Sequence, residues 1–133
     1  SGEELPENVK AIIADCGYTS EWDEFKCEAN ALHIPWFPVL NAASVMSKLR
    51  DGYDFKQASA LEKVKQSRIP TLFIHGSDDE LVPYSMLDKL YSAAACEKEC
   101  LTVNGAGHAL SSSVEPELYW NTVENFIEKY LEK

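Results

Sequence analysis

Three short apolar runs, separated by stretches with helical periodicity, restrict the fold of this chain more than any other feature. The runs are Val9 to Asp15, Pro70 to Gly76 and Glu99 to Gly105. Short, almost continuous apolar runs are typical of parallel strands covered on both faces. Their alternation with helices indicates right-handed crossover connections. We therefore predict an α/β fold with three parallel strands in sequential order and helices against both faces of the sheet.

The longest connection is residues 20–68, which we interpret as a lid-like helical insert after the first strand. Pro35 and Pro38 interrupt its first half, and a helix is predicted over Asn41 to Leu49 because apolar residues recur there three and four apart. Ser59 has capping-box spacing to a glutamate and is expected to begin another helix. The apolar residues predicted to share one face of this helix are Ala42, Val45, Met46 and Leu49.

Two further helices are expected after the second and third strands. Pro83 and Pro116 stand where these helices can begin, since proline is tolerated in a first helical turn. Each helix has a stripe of apolar residues that predicts packing against the sheet. The stripes are Met86, Leu87, Leu90, Tyr91 and Ala94 in the first helix, and Trp120, Val123, Phe126, Ile127, Tyr130 and Leu131 in the second.

Length, charge and cysteine content exclude several classes of protein. A chain of 133 residues is one domain or part of one. Its formal net charge of −10 and its lack of a basic run argue against nucleic-acid binding. No apolar run approaches the roughly 20 residues of a membrane helix. The four cysteines lack disulfide-scaffold or zinc-site spacing, so we expect reduced thiols, a cytoplasmic location, no metal and no cofactor.

Candidate chemistry lies just after the predicted strands, where open parallel sheets bind their ligands. The segment HGSDDELVP follows the second strand and contains Asp78 and Asp79, and NGAGHALS follows the third and contains His108. A carboxylate beside an imidazole can fix the imidazole tautomer and stabilise its protonated form. Asp79 and His108 are therefore candidates for the acid and the base of a catalytic triad.

These two motifs together resemble the carboxyl-terminal part of the α/β-hydrolase superfamily, especially bacterial serine hydrolases akin to the prolyl-oligopeptidase-like group. The matching pattern is HG-x-x-D-x-x-VP followed by G-x-G-H, and the resemblance extends over essentially all 133 residues. It implies Asp79 as the triad acid, with the adjacent Asp78 as the alternative, and His108 as the base. The implied reaction is cleavage of an ester, thioester or amide through an acyl-enzyme.

The chain lacks the nucleophile motif of that family. The family carries its serine in a G-x-S-x-G elbow that precedes the acid and the base. The six glycines here stand at positions 2, 17, 52, 76, 105 and 107, and no two of them are four residues apart. The oxyanion-hole loop is missing as well. We therefore expect a carboxyl-terminal half of a serine hydrolase that is inactive by itself.

Other interpretations remain open at this point. Cys16 follows the first strand and precedes Asp79 and His108, so a Cys16-dependent hydrolase is an alternative. A non-catalytic interaction module with an open sheet edge is another. The exposed edge predicts that the chain either self-associates through strand Val9 to Asp15 or is a stable remnant of a longer protein. Trp22 and Phe25 of the insert are candidate substrate-binding residues for a small molecule or peptide.

Overall fold

A computed structural model of the chain describes residues 5–55 and 59–131. Its sheet contains β1 (Ile12–Asp15), β2 (Thr71–Gly76) and β3 (Lys98–Val103), in the order β1-β2-β3 and parallel throughout. The predicted α/β fold with sequential parallel strands is thus confirmed. The helices are α1 (Glu21–Ala31), α2 (Trp36–Asp51), α3 (Ala60–Gln66), α4 (Ser85–Ala93), α5 (Ser111–Val114) and α6 (Pro116–Leu131).

The central strand β2 has a hydrophobic core on each face. All of its residues are buried. Leu72 and Ile74 pack on one side against α6, and Phe73 packs on the other against Leu87 and Leu90 of α4, with apolar side chains of α3 beside them. Because successive side chains of a strand point to opposite faces, one continuous apolar run serves both cores. The helices therefore flank both faces of the sheet, as predicted.

Strand β1 is shorter than the predicted Val9 to Asp15. The N–H of Val9 donates to the carbonyl oxygen of Pro6 at 2.9 Å, which closes a turn and delays the start of the strand until Ile12. From Ile12 to Ala14 the strand is half-buried rather than covered. In the part of the chain that the structure describes, it pairs with β2 alone and is an edge strand.

The insert has the expected helical character, although residues 56–58 of it lie outside the described residues. The helix predicted over Asn41 to Leu49 extends over the whole of α2, with a kink at Phe37. Its predicted apolar face is largely exposed, since the exposed fraction reaches 82% at Leu49. The buried residues of α2 are instead Leu40 and Ser44. No helix in the described ranges has the length and apolarity needed to cross a membrane.

The carboxyl-terminal helix α6 begins at Pro116 as predicted, but its buried stripe is rotated from the predicted one. Trp120 is 53% exposed, whereas the unpredicted Tyr119 is buried. The residues that face the sheet are Tyr119, Val123, Phe126 and Tyr130. Spacings of four, three and four residues keep these side chains on one face of a helix. Trp120 and Leu131 lie beside this stripe and remain in contact with solvent.

Candidate active site

The loops after β2 and β3 are joined by backbone hydrogen bonds. The Ser77 N–H donates to the Val103 carbonyl, and the Asp78 N–H donates to the Ala106 carbonyl, each at 3.0 Å. A Cβ atom on Gly76 would lie 2.1 Å from the Ala106 carbonyl oxygen, so a side chain at position 76 would force the loops apart. The glycine that ends β2 thus permits the close approach that brings Asp79 towards His108.

Asp79 and His108 form a direct hydrogen bond. Nδ1 of His108 lies 2.9 Å from Oδ2 of Asp79, whose side chain is completely buried while that of His108 is 33% exposed. Oδ1 of Asp79 accepts from the backbone N–H groups of Leu81 at 3.0 Å and Val82 at 2.8 Å. The loop thus surrounds the carboxylate, and the imidazole closes its remaining side.

The partners of Asp79 determine the protonation state of the pair. Burial alone would raise the pKa of the Asp79 carboxyl, but hydrogen bonds from Val82, His108 and Leu81 together with the charge of His108 hold that pKa below its ordinary value. An ionised carboxylate only accepts hydrogen bonds, so Nδ1 of His108 carries the proton. Nε2 of His108 is then the basic nitrogen, available to accept a proton.

His75 is a second imidazole in contact with this carboxylate. Its side chain is fully buried, with Nε2 2.9 Å from the Val82 carbonyl oxygen and 3.4 Å from Oδ2 of Asp79. Because a carbonyl oxygen only accepts, Nε2 of His75 carries the proton. Nδ1 has no hydrogen-bond partner among the described residues. Both contacts connect His75 to the loop that contains Asp79.

The structure distinguishes between the two adjacent acids left open by the sequence. Asp78 is exposed, and its carboxylate accepts a hydrogen bond from the Ser77 hydroxyl at 2.6 Å. Asp79 is the carboxylate in contact with His108. The deciding contacts are the backbone N–H groups after Asp79, which the sequence alone does not reveal.

Cys16 lies at the same edge of the sheet, immediately after β1. It is 5% exposed and has a positive φ of 51°. Its sulfur accepts from the Ala109 N–H at 3.3 Å and donates to Oδ1 of Asp15 at 3.2 Å. Donor atoms of Cys16, Asp79 and His108 all lie within 4.8 Å of one another. Burial raises the pKa of the Cys16 thiol to about 12, with Asp15 adding to the rise and the Ala109 N–H opposing it.

Aromatic residues lie beside the site and in the insert. The Tyr18 and His108 rings are 6.3 Å apart between centroids. The ring centroids of Phe25 and Phe55 are 4.9 Å apart. Both residues line an apolar cavity of about 350 Å³ between α1 and α2. Trp22 is half-buried and, in the described structure, is outside the lining of that cavity. Both predicted substrate-binding residues lie on α1, and of the two only Phe25 is among the described residues that line this cavity.

Sequential parallel strands with helices on both faces, and a carboxylate and an imidazole on the loops after neighbouring strands, match part of the α/β-hydrolase fold. The chain is similar to proteins of this superfamily. Uncharacterized protein YqkD of Bacillus subtilis is 28% identical over 129 residues, which cover 96% of this chain and 42% of that protein. Alpha/beta hydrolase domain-containing protein 17C of Homo sapiens is 30% identical over 106 residues, covering 77% of this chain and 32% of that protein.

A solved structure shows the same fold. The Pyrococcus furiosus esterase PF2001 superposes with a TM-score of 0.70 at 18% identity, over 97% of this chain and 47% of the esterase. No protein-family model matches the chain. The chain thus spans less than half the length of these three proteins, at 42%, 32% and 47%.

Proposed function

We propose that these residues form the carboxyl-terminal part of a longer serine hydrolase akin to the prolyl-oligopeptidase-like group. The observation that supports this proposal best is the hydrogen bond between Asp79 and His108, with Nε2 of His108 left basic. The chain matches only 42% of its Bacillus relative and contains no G-x-S-x-G elbow. The rest of the parent protein would supply the serine and the oxyanion hole.

In the proposed reaction, Nε2 of His108 removes the proton from the serine hydroxyl as its oxygen attacks the substrate carbonyl. Asp79 stabilises the imidazolium that forms, and this imidazolium then protonates the leaving group. Nε2 of His108 then removes a proton from a water molecule that attacks the acyl-enzyme, and the imidazolium returns a proton to the serine oxygen as the acid product leaves. The substrate is an ester, thioester or amide, with Trp22 and Phe25 of the insert proposed to contact its apolar part.

The test compares the parent protein with this chain. A fluorophosphonate probe should label the parent on one serine and leave the chain unlabelled, since removing a triad member or an oxyanion donor costs orders of magnitude in rate. Stoichiometric labelling of a serine in the chain alone would refute the proposal. Activity of the parent on p-nitrophenyl esters against peptide anilides then separates esterase from peptidase. Recovery of the protein in the cytosolic fraction is the corresponding test of the proposed cytoplasmic location.

Cys16 is the alternative nucleophile, because its sulfur lies near Asp79 and His108. The raised pKa of its thiol opposes this role, since the thiolate is the reactive form. Iodoacetamide distinguishes the two proposals. A Cys16-dependent hydrolase should be alkylated at Cys16 in the folded state and lose activity with it, whereas the serine hydrolase should be alkylated first at the exposed Cys100.

The open edge of β1 supports a separate proposal, that the isolated chain self-associates through Val9 to Asp15. An edge strand presents unpaired backbone donors and acceptors to another chain. Size-exclusion chromatography with light scattering should show a dimer, and Ile13→Pro should convert it to a monomer. A compact monomer at all concentrations would exclude self-association, and with it an interaction module that binds a second copy of this chain.

A further inference from the structure

Cys16, Asp79 and His108 bring a sulfur, an oxygen and a nitrogen donor into one small volume, with the donor atoms within 4.8 Å of one another. Thiolate, carboxylate and imidazole are the usual protein ligands of zinc, and three of them leave a fourth position for water. We propose that these three side chains bind Zn²⁺, or a soft divalent cation such as Cd²⁺. The sequence had predicted no metal site, because these residues are far apart along the chain.

The geometry needs only small adjustments. Tetrahedral zinc with ligand bonds of about 2.0 to 2.3 Å places its ligand atoms roughly 3.3 to 3.6 Å apart. The separations of up to 4.8 Å therefore have to close by at most about 1.2 to 1.5 Å. Of the three side chains, that of His108 is the most exposed, at 33%, whereas Asp79 and Cys16 accept hydrogen bonds from the backbone of the loops around them.

Charge also favours a divalent cation at this position. One thiolate and one carboxylate neutralise the two positive charges, so the occupied site carries no net charge into the protein interior. Cys16 loses its S–H proton to solvent as the metal–sulfur bond forms, because a metal-bound thiol is deprotonated. Nδ1 of His108, which faces Asp79, binds the cation through its lone pair, so its proton leaves and Nε2 then carries the N–H of the neutral ring. The Ala109 N–H, which already donates to this sulfur, remains as a partner for the thiolate.

Metal binding and base catalysis would exclude each other. A cation bound to His108 and Asp79 occupies the groups that would accept and stabilise the serine proton, so the metal acts as an inhibitor. This consequence rests on the proposed function. The binding itself does not, because it involves groups that are all present in this chain.

The test uses this chain with Cys27, Cys96 and Cys100 replaced by serine, so that Cys16 is the one remaining thiol. Titration with Cd²⁺ should produce an ultraviolet thiolate-to-cadmium band, and calorimetry with Zn²⁺ should give one equivalent bound. Adding Cys16→Ser should abolish the band. Adding His108→Ala should weaken binding at least tenfold, while the control His33→Asn should leave it unchanged. Circular dichroism of each variant checks that the fold is retained.

Several results would overturn the proposal. These are the absence of a cadmium band in the single-thiol chain, equal Zn²⁺ affinity after Cys16→Ser, or equal affinity after His108→Ala in a folded variant. Inhibition of the parent is measured separately. Zn²⁺ should inhibit the parent reversibly, with chelation restoring activity, and Cys16→Ser should raise the inhibitory concentration at least tenfold. Metal binding to the chain without inhibition of the parent would refute the proposed role of His108 as base while leaving the metal site intact.

Discussion

Replacing Asp79 with asparagine should inactivate the parent hydrolase by reversing the tautomer of His108. Oδ1 of Asp79 accepts two backbone N–H groups, from Leu81 and Val82, and only an oxygen can take that position. The asparagine NH₂ group must therefore replace Oδ2, 2.9 Å from Nδ1 of His108. The NH₂ group then donates to Nδ1, so the proton of the ring moves to Nε2. Nε2 no longer has a lone pair with which to accept the serine proton.

The corresponding change in a known triad supplies the magnitude. There, an asparagine in place of the aspartate lowers kcat by about 10⁴ through the wrong tautomer, which corresponds to roughly 5 kcal/mol of barrier. We expect a similar loss in kcat/KM for Asp79→Asn in the parent. The neighbouring Asp78→Asn is the matched control and should retain activity, because Asp78 is exposed and bonded to Ser77.

The tautomer can be observed directly in this chain without the nucleophile. Nitrogen-15 NMR should show His108 protonated at Nδ1 in the unmodified chain and at Nε2 in Asp79→Asn. An unchanged tautomer in a folded Asp79→Asn variant would refute the argument. So would a loss of activity in Asp78→Asn as large as that in Asp79→Asn.

Three predictions concern stability. Gly76→Ala should lower the free energy of unfolding by about 3 kcal/mol in urea denaturation, because the added Cβ would lie 2.1 Å from the Ala106 carbonyl oxygen. In the control Gly107→Ala the nearest atom to the Cβ lies at 3.5 Å, so the loss should be less than half as large. Because the pKa of Asp79 is lower in the folded state, ionised Asp79 stabilises the fold fully above its unfolded pKa of 3.8, and this stabilisation is lost as the pH falls below that value. On acid titration, the free energy of unfolding should therefore fall less in Asp79→Asn than in the unmodified chain. Phe126→Ala should lower the free energy of unfolding by about 3 to 5 kcal/mol, because Phe126 is only 1% exposed. Trp120→Ala should lower it by less than about 1 kcal/mol, because Trp120 is 53% exposed. Equal midpoints of thermal denaturation for the two variants would contradict the packing described for α6.

The sequence predicts the sheet well because its strands are short apolar runs with little competing periodicity. It predicts the helix faces less well. Around Trp120, apolar residues are dense enough to fit more than one stripe, and packing against the sheet selects Tyr119 instead. In α2, the apolar spacing at Val45 and Leu49 correctly indicates a helix, but these side chains are largely exposed. Periodicity locates a helix more reliably than it identifies the buried face when apolar residues occupy both faces.

The candidate site shows a similar division. That Asp79 and His108 approach each other follows from their positions after neighbouring parallel strands. The family pattern favours Asp79 over the adjacent Asp78, and the choice between them depends on backbone N–H groups of Leu81 and Val82 that turn towards the Asp79 carboxylate. The position of Cys16 after β1 likewise favours its approach to this pair, but its contact with the Ala109 N–H and its positive φ are not encoded in any residue pattern.

The contacts that orient Asp79 and His108 come from the end of β2 and from the loops after β2 and β3. Gly76 leaves room for the two loops to approach each other. The backbone N–H groups of Leu81 and Val82 donate to the Asp79 carboxylate, and Nε2 of the buried His75 donates to the Val82 carbonyl oxygen. None of these contacts requires the element that would carry a nucleophile. The hydrogen-bonded pair of Asp79 and His108 is therefore assembled by the local fold alone. Its tautomer is fixed by the same hydrogen bonds, so only Nε2 of His108 remains to be matched by a reacting group.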